Sequence, residues 1–167
     1  MSKTSDFKLG SKLIEKGKAY KVFKVKKERV GEKTETVIYF RPLFQTSINE
    51  SLICSIPEGS LANTDIRKPT SSMEVKLLLK NLSKRLKKKR DLDVVKAKSA
   101  LELNDIYEAA KVLKRYWKEK KESGVNFSTT KKDILNMAVN RIVEEVALAI
   151  GLSLDEARKK ITSALDN

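Results

Sequence analysis

The chain has 167 residues, 40% of them hydrophobic and 35% charged. That is enough apolar material for one ordinary core or two small ones, with far more charge than most enzymes of this length carry. Lysine and arginine number 36 against 22 acids, a formal charge of +14, which points to a polyanion as partner, nucleic acid first. Histidine is absent and Cys54 is the single cysteine, which excludes imidazole-based triads, disulfide frameworks and clustered zinc or iron–sulfur sites. No window approaches the roughly 20 apolar residues of a membrane span, and Met1 to Phe7 lacks the apolar region of a signal peptide, so a cytoplasmic protein is expected.

From Lys12 to Ile56 the sequence alternates and is rich in β-branched and aromatic residues, as in Ala19-Tyr20-Lys21-Val22-Phe23-Lys24-Val25 and Thr34-Glu35-Thr36-Val37-Ile38-Tyr39-Phe40. This pattern predicts antiparallel strands. In the first run Ala19, Lys21, Phe23 and Val25 alternate with Tyr20, Val22, Lys24 and Lys26, so both faces carry apolar groups, which suits a small, strongly curved barrel. Glu28 to Lys33 is expected to form the hairpin connection, with Gly31 supplying a positive φ. A third strand is expected over Ser51 to Ile56, ending at Pro57, which lacks a ladder donor. Asn63 to Thr70 has no clear period and marks the boundary between two parts.

Everything after that boundary reads as helical. Ser71 with Glu74, Asp105 with Glu108 and Ser153 with Glu156 have capping-box spacing, and Ser128 to Thr130 offers capping hydroxyls before Ile134. Apolar residues then recur at threes and fours: Val75, Leu78, Leu79, Leu82 and Leu86 in one run, and Ile106, Ala109, Ala110, Val112, Leu113, Tyr116 and Trp117 in another. The second run stops at Ser123-Gly124, where the glycine is expected in the left-handed conformation, and Gly151 ends the next helix. The sequence thus predicts an α+β protein, with a small antiparallel β-barrel over residues 1–68 and a basic bundle of about five α-helices over residues 69–167.

Charge is concentrated in the helical part. Lys80 to Lys98 holds nine basic residues against two acids, and Lys111 to Lys121 holds six against one. Basic residues spaced like phosphates bind nucleic acid by releasing counterions, positioning the protein without reading sequence. The expected DNA contacts are Lys84, Arg85, Lys87, Lys88, Lys89, Arg90, Lys96, Lys98 and Lys114; a solvated helix face or a surface for an acidic protein is the plainer reading of the same lysines. Trp117 lies four residues after Leu113 on the apolar stripe and is expected in the core, with Tyr116 ambiguous beside Arg115. Cys54 reads as inert packing. Glu144 and Glu145 diverge by about 100° on a helix and do not make a paired-carboxylate site. No phosphate-cradling loop occurs, and no cofactor, metal or small-molecule substrate is expected.

Several segments stand in an order that resembles the CarD family of bacterial RNA polymerase-binding transcription factors. These are Phe7-Lys8-Leu9-Gly10 at the start, Ile56-Pro57 at a strand end and Asp65-Ile66-Arg67 after it, then Asn104-Asp105-Ile106-Tyr107, Val112-Leu113-Lys114-Arg115-Tyr116-Trp117 and Val143-Glu144-Glu145-Val146-Ala147-Leu148-Ala149. The resemblance implies that the β part is a Tudor-like (SH3-like) barrel binding the polymerase β-subunit lobe through an exposed strand edge, with Lys27, Arg29, Ile53 and Ser55 as contacts. It also implies that the helical part touches promoter DNA at the upstream edge of the transcription bubble, so that binding both partners favours the open complex. The chain departs from the family pattern at two places. The position of the family's wedging tryptophan falls on Arg90 or on Leu82, depending on the alignment, and Ser55 stands where relatives have an arginine.

The function expected is therefore a non-catalytic transcription regulator bridging polymerase and promoter DNA. A nucleic-acid-binding module without polymerase contact, for structured RNA or for DNA, is the main alternative. A protein-interaction adaptor is the third, and an enzyme comes last because no catalytic constellation is visible.

Overall fold

The computed structural model describes residues 7–87 and 92–167. Lys88, Lys89 and Arg90 of the expected DNA-contacting set lie outside the described residues. The chain divides into two compact units, Met1–Pro69 and Thr70–Asn167, each of which is taken by itself below.

The first unit is an antiparallel sheet of β1 (Lys12–Glu15), β2 (Lys18–Val30), β3 (Lys33–Pro42) and β4 (Cys54–Pro57), side by side in chain order. Lys16 and Gly17, with φ of 47° and 78°, join β1 to β2 between the paired Glu15 and Lys18; positive φ at both central positions is what a type I′ hairpin turn demands. The next hairpin is tighter than the sequence suggests. Glu28 and Arg29 are not loop residues but pair with Glu35 and Thr34, and only Gly31-Glu32 turn the chain between Val30 and Lys33. With Gly31 at φ 63°, a two-residue turn matches the twist of the strands and lets the ladder run to its end.

Strict alternation also fails within β2, because the register shifts between Val22 and Lys24, leaving Phe23 as the extra residue of a β-bulge. Val22 and Val25, three apart, consequently oppose Phe40 and Ile38 on one face. Leu13, Val22, Ile38 and Phe40 form the buried core there, with Tyr20, Cys54, Ile56, Leu61 and Ile66 packed against it. Tyr20 meets Phe40 edge to face at 5.3 Å between ring centroids. Full burial of each aliphatic or phenyl side chain contributes about 1.5–3 kcal/mol.

The third strand is shorter than expected: Ser51 is a turn residue, Leu52 and Ile53 are irregular, and β4 starts at Cys54. Asn49 ties the loop ahead of it back on itself, since the Thr46 amide donates to Asn49 Oδ1 at 2.7 Å and Asn49 Nδ2 donates to the Phe44 carbonyl at 3.2 Å. After β4, a 3₁₀ turn over Glu58–Asn63 carries Leu61 onto the core. The chain then reaches the far edge of the sheet, where the Ile14 amide donates to the Arg67 carbonyl at 2.8 Å and the Arg67 amide returns a bond to Ile14 at 3.1 Å. The sheet is curled, and its last segment closes over β1.

The second unit contains α1 (Ser72–Leu82), α2 (Val94–Glu102), α3 (Ile106–Ser123), α4 (Thr129–Ile150) and α5 (Leu154–Asp166), with a 3₁₀ turn over Gly124–Asn126. Each helix begins at an oxygen-bearing cap: Ser71, Asp93, Asp105, Ser128 and Ser153 accept bonds from backbone amides of the first turn, which satisfies donors the helix itself leaves orphaned. Full capping boxes form at Ser71 with Glu74 and at Ser153 with Glu156. Gly151 closes α4 in the left-handed region at φ 69°, ψ 41°. Gly124 has positive φ but ψ −118°, outside that region, because the chain leaves α3 into the 3₁₀ turn instead of a Schellman-type cap.

The helical core is built from Val75, Leu78, Leu79 and Leu82 of α1, Leu113 and Tyr116 of α3, Ile134, Ala138, Ile142 and Val146 of α4, and Ile161 of α5, all at most 7% exposed. Register along α3 reverses one expectation. Tyr116 is the fully buried aromatic, while Trp117 is only half-buried and donates through Nε1 to Asp166 Oδ1 at 3.1 Å. The buried positions of α3 centre on Ala109, Val112, Leu113 and Tyr116, so Trp117 falls at the flank of the stripe. Glu144 and Glu145 are also buried, and Glu145 Oε1 accepts the Thr70 amide at 2.7 Å.

Candidate nucleic-acid interface

Helical periodicity sorts the basic residues of α3. Lys111, Lys114, Arg115, Lys118 and Lys121 are separated by threes and fours and therefore share one face. Lys114 ties that face to α1, its ammonium donating to the Asn81 carbonyl at 2.5 Å in the last turn of α1, where unpaired carbonyls and the helix dipole favour a cation. Lys84 and Arg85 follow directly. Burial, and then the nearby Lys84 ammonium, hold the Lys114 amine below the ordinary lysine range.

Leu82, Leu86 and Lys114 line both of two adjoining concavities. Lys84, Arg85, Lys118 and Lys121 lie on one side of this shared wall, and Lys96, Lys111 and Arg115 on the other. The result is a continuous basic surface across the end of α1, the start of α2 and the length of α3. Its ion pairs are peripheral: Lys111 with Glu108 at 2.5 Å, Lys96 with Asp93 at 3.7 Å, Lys118 with Glu122 at 3.8 Å and Lys121 with Asp166 at 2.7 Å. Exposed pairs of this kind contribute little and exchange readily for a phosphate.

Of the expected DNA contacts, Lys84, Arg85, Lys96 and Lys114 are brought together on this surface. Lys87 is exposed beyond the end of α1, and Lys98 is exposed on α2 but lines neither concavity. Lys111, Arg115, Lys118 and Lys121, which belong to the second basic block of the sequence but not to the expected DNA contacts, join the surface, as their three-and-four spacing allows.

The β unit separates its expected contacts. Lys27 pairs with Thr36 and Arg29 with Thr34, whereas Ser55 pairs with Tyr39. Directly opposed residues share a face and neighbours along a strand alternate, so Lys27 and Arg29 lie on the opposite face of the ladder from Ser55. The cations on the Ser55 side are Lys24, which opposes Tyr39, and Lys26, which opposes Val37. Lys24 Nζ stands 4.9 Å from the centre of the Tyr39 ring, and Tyr39 Oη donates to Glu28 Oε2 at 2.7 Å. That bond lowers the Glu28 carboxyl and raises the Tyr39 phenol.

Main-chain parity fixes the edge of β4. Val22 exchanges bonds with Gly10 and Ser11 on the β1 side, so its partner Phe40 turns its amide and carbonyl toward β4. Cys54 and Ile56, opposite Phe40 and Ile38, face inward, and Ser55 turns its amide and carbonyl outward. Ile53, 63% exposed, precedes the strand. Cys54 is half-buried, and burial, followed by Glu15, pushes its thiol up, which keeps it protonated and unreactive.

The family model described as CarD, C-terminal domain, matches residues 78–162, just over half of the chain. The chain belongs to the CarD family. No curated protein matches it significantly. The CarD match spans the end of α1, α2, α3, α4 and most of α5, and thus the basic surface just described, and it carries the statement that this is a CarD-like regulator of transcription. No helix of the described residues is long and apolar enough to cross a membrane. Among the described residues, no three His, Cys, Asp or Glu side chains gather as a metal site.

Proposed function

We propose that this CarD-like regulator bridges RNA polymerase and promoter DNA without catalysing a reaction. The β unit acts as a Tudor-like anchor on the polymerase β-subunit lobe, and the basic helical surface grips duplex DNA beside the transcription bubble. The observation that carries the reading is the α3 cation stripe continued by Lys84 and Arg85 at the end of α1. A row of cations at helical spacing meets successive phosphates and makes affinity salt-dependent, independent of base sequence.

On the polymerase side, the outward amide and carbonyl of Ser55 suit strand addition, in which main-chain bonds hold the partner and side chains select it. Lys24 and Lys26 share the Ser55 face and take the place of a cation on β4 itself. Linkage then supplies the regulatory effect: a factor that binds the open complex more tightly than the closed one shifts the equilibrium by that difference and no more. Two modest affinities combine through effective concentration.

Leu82 is 5% exposed within the helical core, and a side chain held there is not a wedge for unstacking bases. The chain therefore acts on the fork through charge. Binding of the full chain to a promoter fork, measured between low and physiological salt, tests this. Charge reversal at Lys84, Arg85 and Lys87 is expected to lower the log–log salt slope by about 0.9 for each phosphate contact removed; an unchanged slope overturns the assignment. Binding to a β-lobe fragment, followed by calorimetry, tests the other arm, and its absence beside intact DNA binding favours the nucleic-acid module without polymerase contact.

A further inference from the structure

The concavity between the end of α1, α3 and the end of α5 differs in character from the rest of the basic surface. Its walls carry Lys84, Arg85, Lys114, Lys118 and Lys121 around Trp117, and Leu82, Leu86 and Leu165 supply apolar lining. Its volume is about 430 Å³, within the range of pockets that hold small ligands and cofactors. Among the described residues, Asp166 is the one acidic side chain of the wall, and it is engaged by Lys121 at 2.7 Å and by the Trp117 indole at 3.1 Å. The wall thus keeps a strong positive excess.

Trp117 is held in place by two contacts. Its indole nitrogen is fixed by Asp166, and Lys120, which lies outside the concavity, stands 5.4 Å from the ring centre. An aromatic ring so fixed offers a stacking surface for a base. A fully paired duplex has no unstacked base to set against Trp117, whereas a free nucleotide, or an unpaired base where the strands part, does. A compact ligand with one planar ring and several negative charges meets every feature of the wall.

We propose that this concavity binds a nucleoside di- or triphosphate, its base against Trp117 and its phosphates among Lys84, Arg85, Lys114, Lys118 and Lys121. The ligand neutralises cations that otherwise repel one another across the pocket. Because Lys84, Arg85 and Lys114 also belong to the DNA-facing surface, a bound nucleotide competes with duplex and links DNA affinity to nucleotide concentration. Nucleotide binding at this site requires neither polymerase nor DNA.

Trp117 is the only tryptophan of the chain, so its fluorescence, excited at the red edge to avoid nucleotide absorption, reports the pocket directly, with calorimetry as an independent readout. The full chain is titrated with ADP, ATP, GDP and GTP, and with adenosine and inorganic tripolyphosphate as partial ligands. The expected result is saturable quenching and heat with the nucleotides at submillimolar concentration, at least tenfold weaker binding of adenosine and of tripolyphosphate, and a tenfold or greater loss in a Lys118→Glu, Lys121→Glu variant whose helical circular dichroism is unchanged. Lys118 and Lys121 also belong to the cation stripe of the DNA-facing surface, so that variant is expected to lose duplex affinity as well; Trp117→Leu, followed by calorimetry with its helical circular dichroism unchanged, is expected to lose nucleotide tenfold and to keep duplex binding, which separates the two sites. Tripolyphosphate binding as tightly as ATP would overturn the nucleotide assignment in favour of simple charge attraction, and the absence of both heat and quenching up to millimolar nucleotide would overturn the site.

Discussion

Tyr116 Oη donates a hydrogen bond to the backbone carbonyl of Leu92 at 3.0 Å. The ring is fully buried and packs edge-on against Phe127 at 6.4 Å, so the chain entering α2 is tied to the centre of α3. Burial, followed by Glu119 and Asp93, raises the phenol, which keeps it a donor at any physiological pH. Tyr116→Phe retains the packing but removes the donor from the Leu92 carbonyl, at an expected cost of about 1–3 kcal/mol. For a unit of this size that corresponds to a fall in Tm of roughly 4–8 °C per kcal/mol. Thermal unfolding checks it; an unchanged Tm would mean that water replaces the hydroxyl at no cost.

Glu145 makes a comparable tie at the other end of the unit. Its carboxylate, fully buried on α4, accepts the amide of Thr70 just ahead of the α1 cap. Glu145→Gln keeps an acceptor oxygen in place, whereas Glu145→Ala leaves the part-buried Thr70 amide without this partner and a void beside it. The alanine variant is expected to lose about 1–3 kcal/mol from the orphaned amide alone, and the glutamine variant less than half of the alanine loss. Urea unfolding of the two proteins decides, and equal stabilities would show that the Thr70 bond contributes nothing.

These two ties mark where the sequence stopped being readable. Caps were legible because they are local: Ser71 with Glu74 and Ser153 with Glu156 each place an acceptor and a carboxylate three residues apart, and both capping boxes form. The paired runs of β2 and β3 were legible from alternation. Helix α2 was not located, since Asp93 is followed at the third helical position by Lys96, not Glu, and the short helix lies inside a run dominated by lysine. The bulge at Phe23 inserts one residue without altering composition, so the faces of Lys24, Val25 and Lys26 relative to Val22 were misassigned. Trp117 and Tyr116 differ by one position on a helix, about 100°, and the apolar stripe of α3 is wide enough that only packing against α4 and the chain before α2 chooses between them. Of the candidate interface, the charge was legible and the face was not: which lysines converge depends on α3 crossing the end of α1.

Acid should release Trp117 before it unfolds the chain. The Lys121 ammonium first, and then the Trp117 indole, hold the Asp166 carboxyl below its ordinary value. A lowered folded value means the contact is complete above the unfolded carboxyl's pKa of about 3.9 and is lost only as pH falls through the folded one. Tryptophan fluorescence is therefore expected to be flat from neutral pH to about pH 4 and to change below it, ahead of the helical circular dichroism. In Asp166→Asn the acid transition of the fluorescence should disappear. A midpoint at or above the ordinary aspartate value would contradict the pairing.

Proline scanning of β4 separates its two edges. Ser55 turns its amide away from β3, whereas Ile56 donates into the ladder opposite Ile38. Proline lacks the amide hydrogen and is tolerated only where that donor faces outward. Ser55→Pro is therefore expected to leave the Tm of the β unit within a few degrees, while Ile56→Pro lowers it by a larger step and broadens the transition. Because strand addition draws on the outward donor, Ser55→Pro is also expected to weaken binding to the polymerase β-lobe fragment by tenfold or more with its fold intact. Full affinity in that variant would move the polymerase contact off the β4 edge and onto the face that carries Lys24, Lys26 and Tyr39.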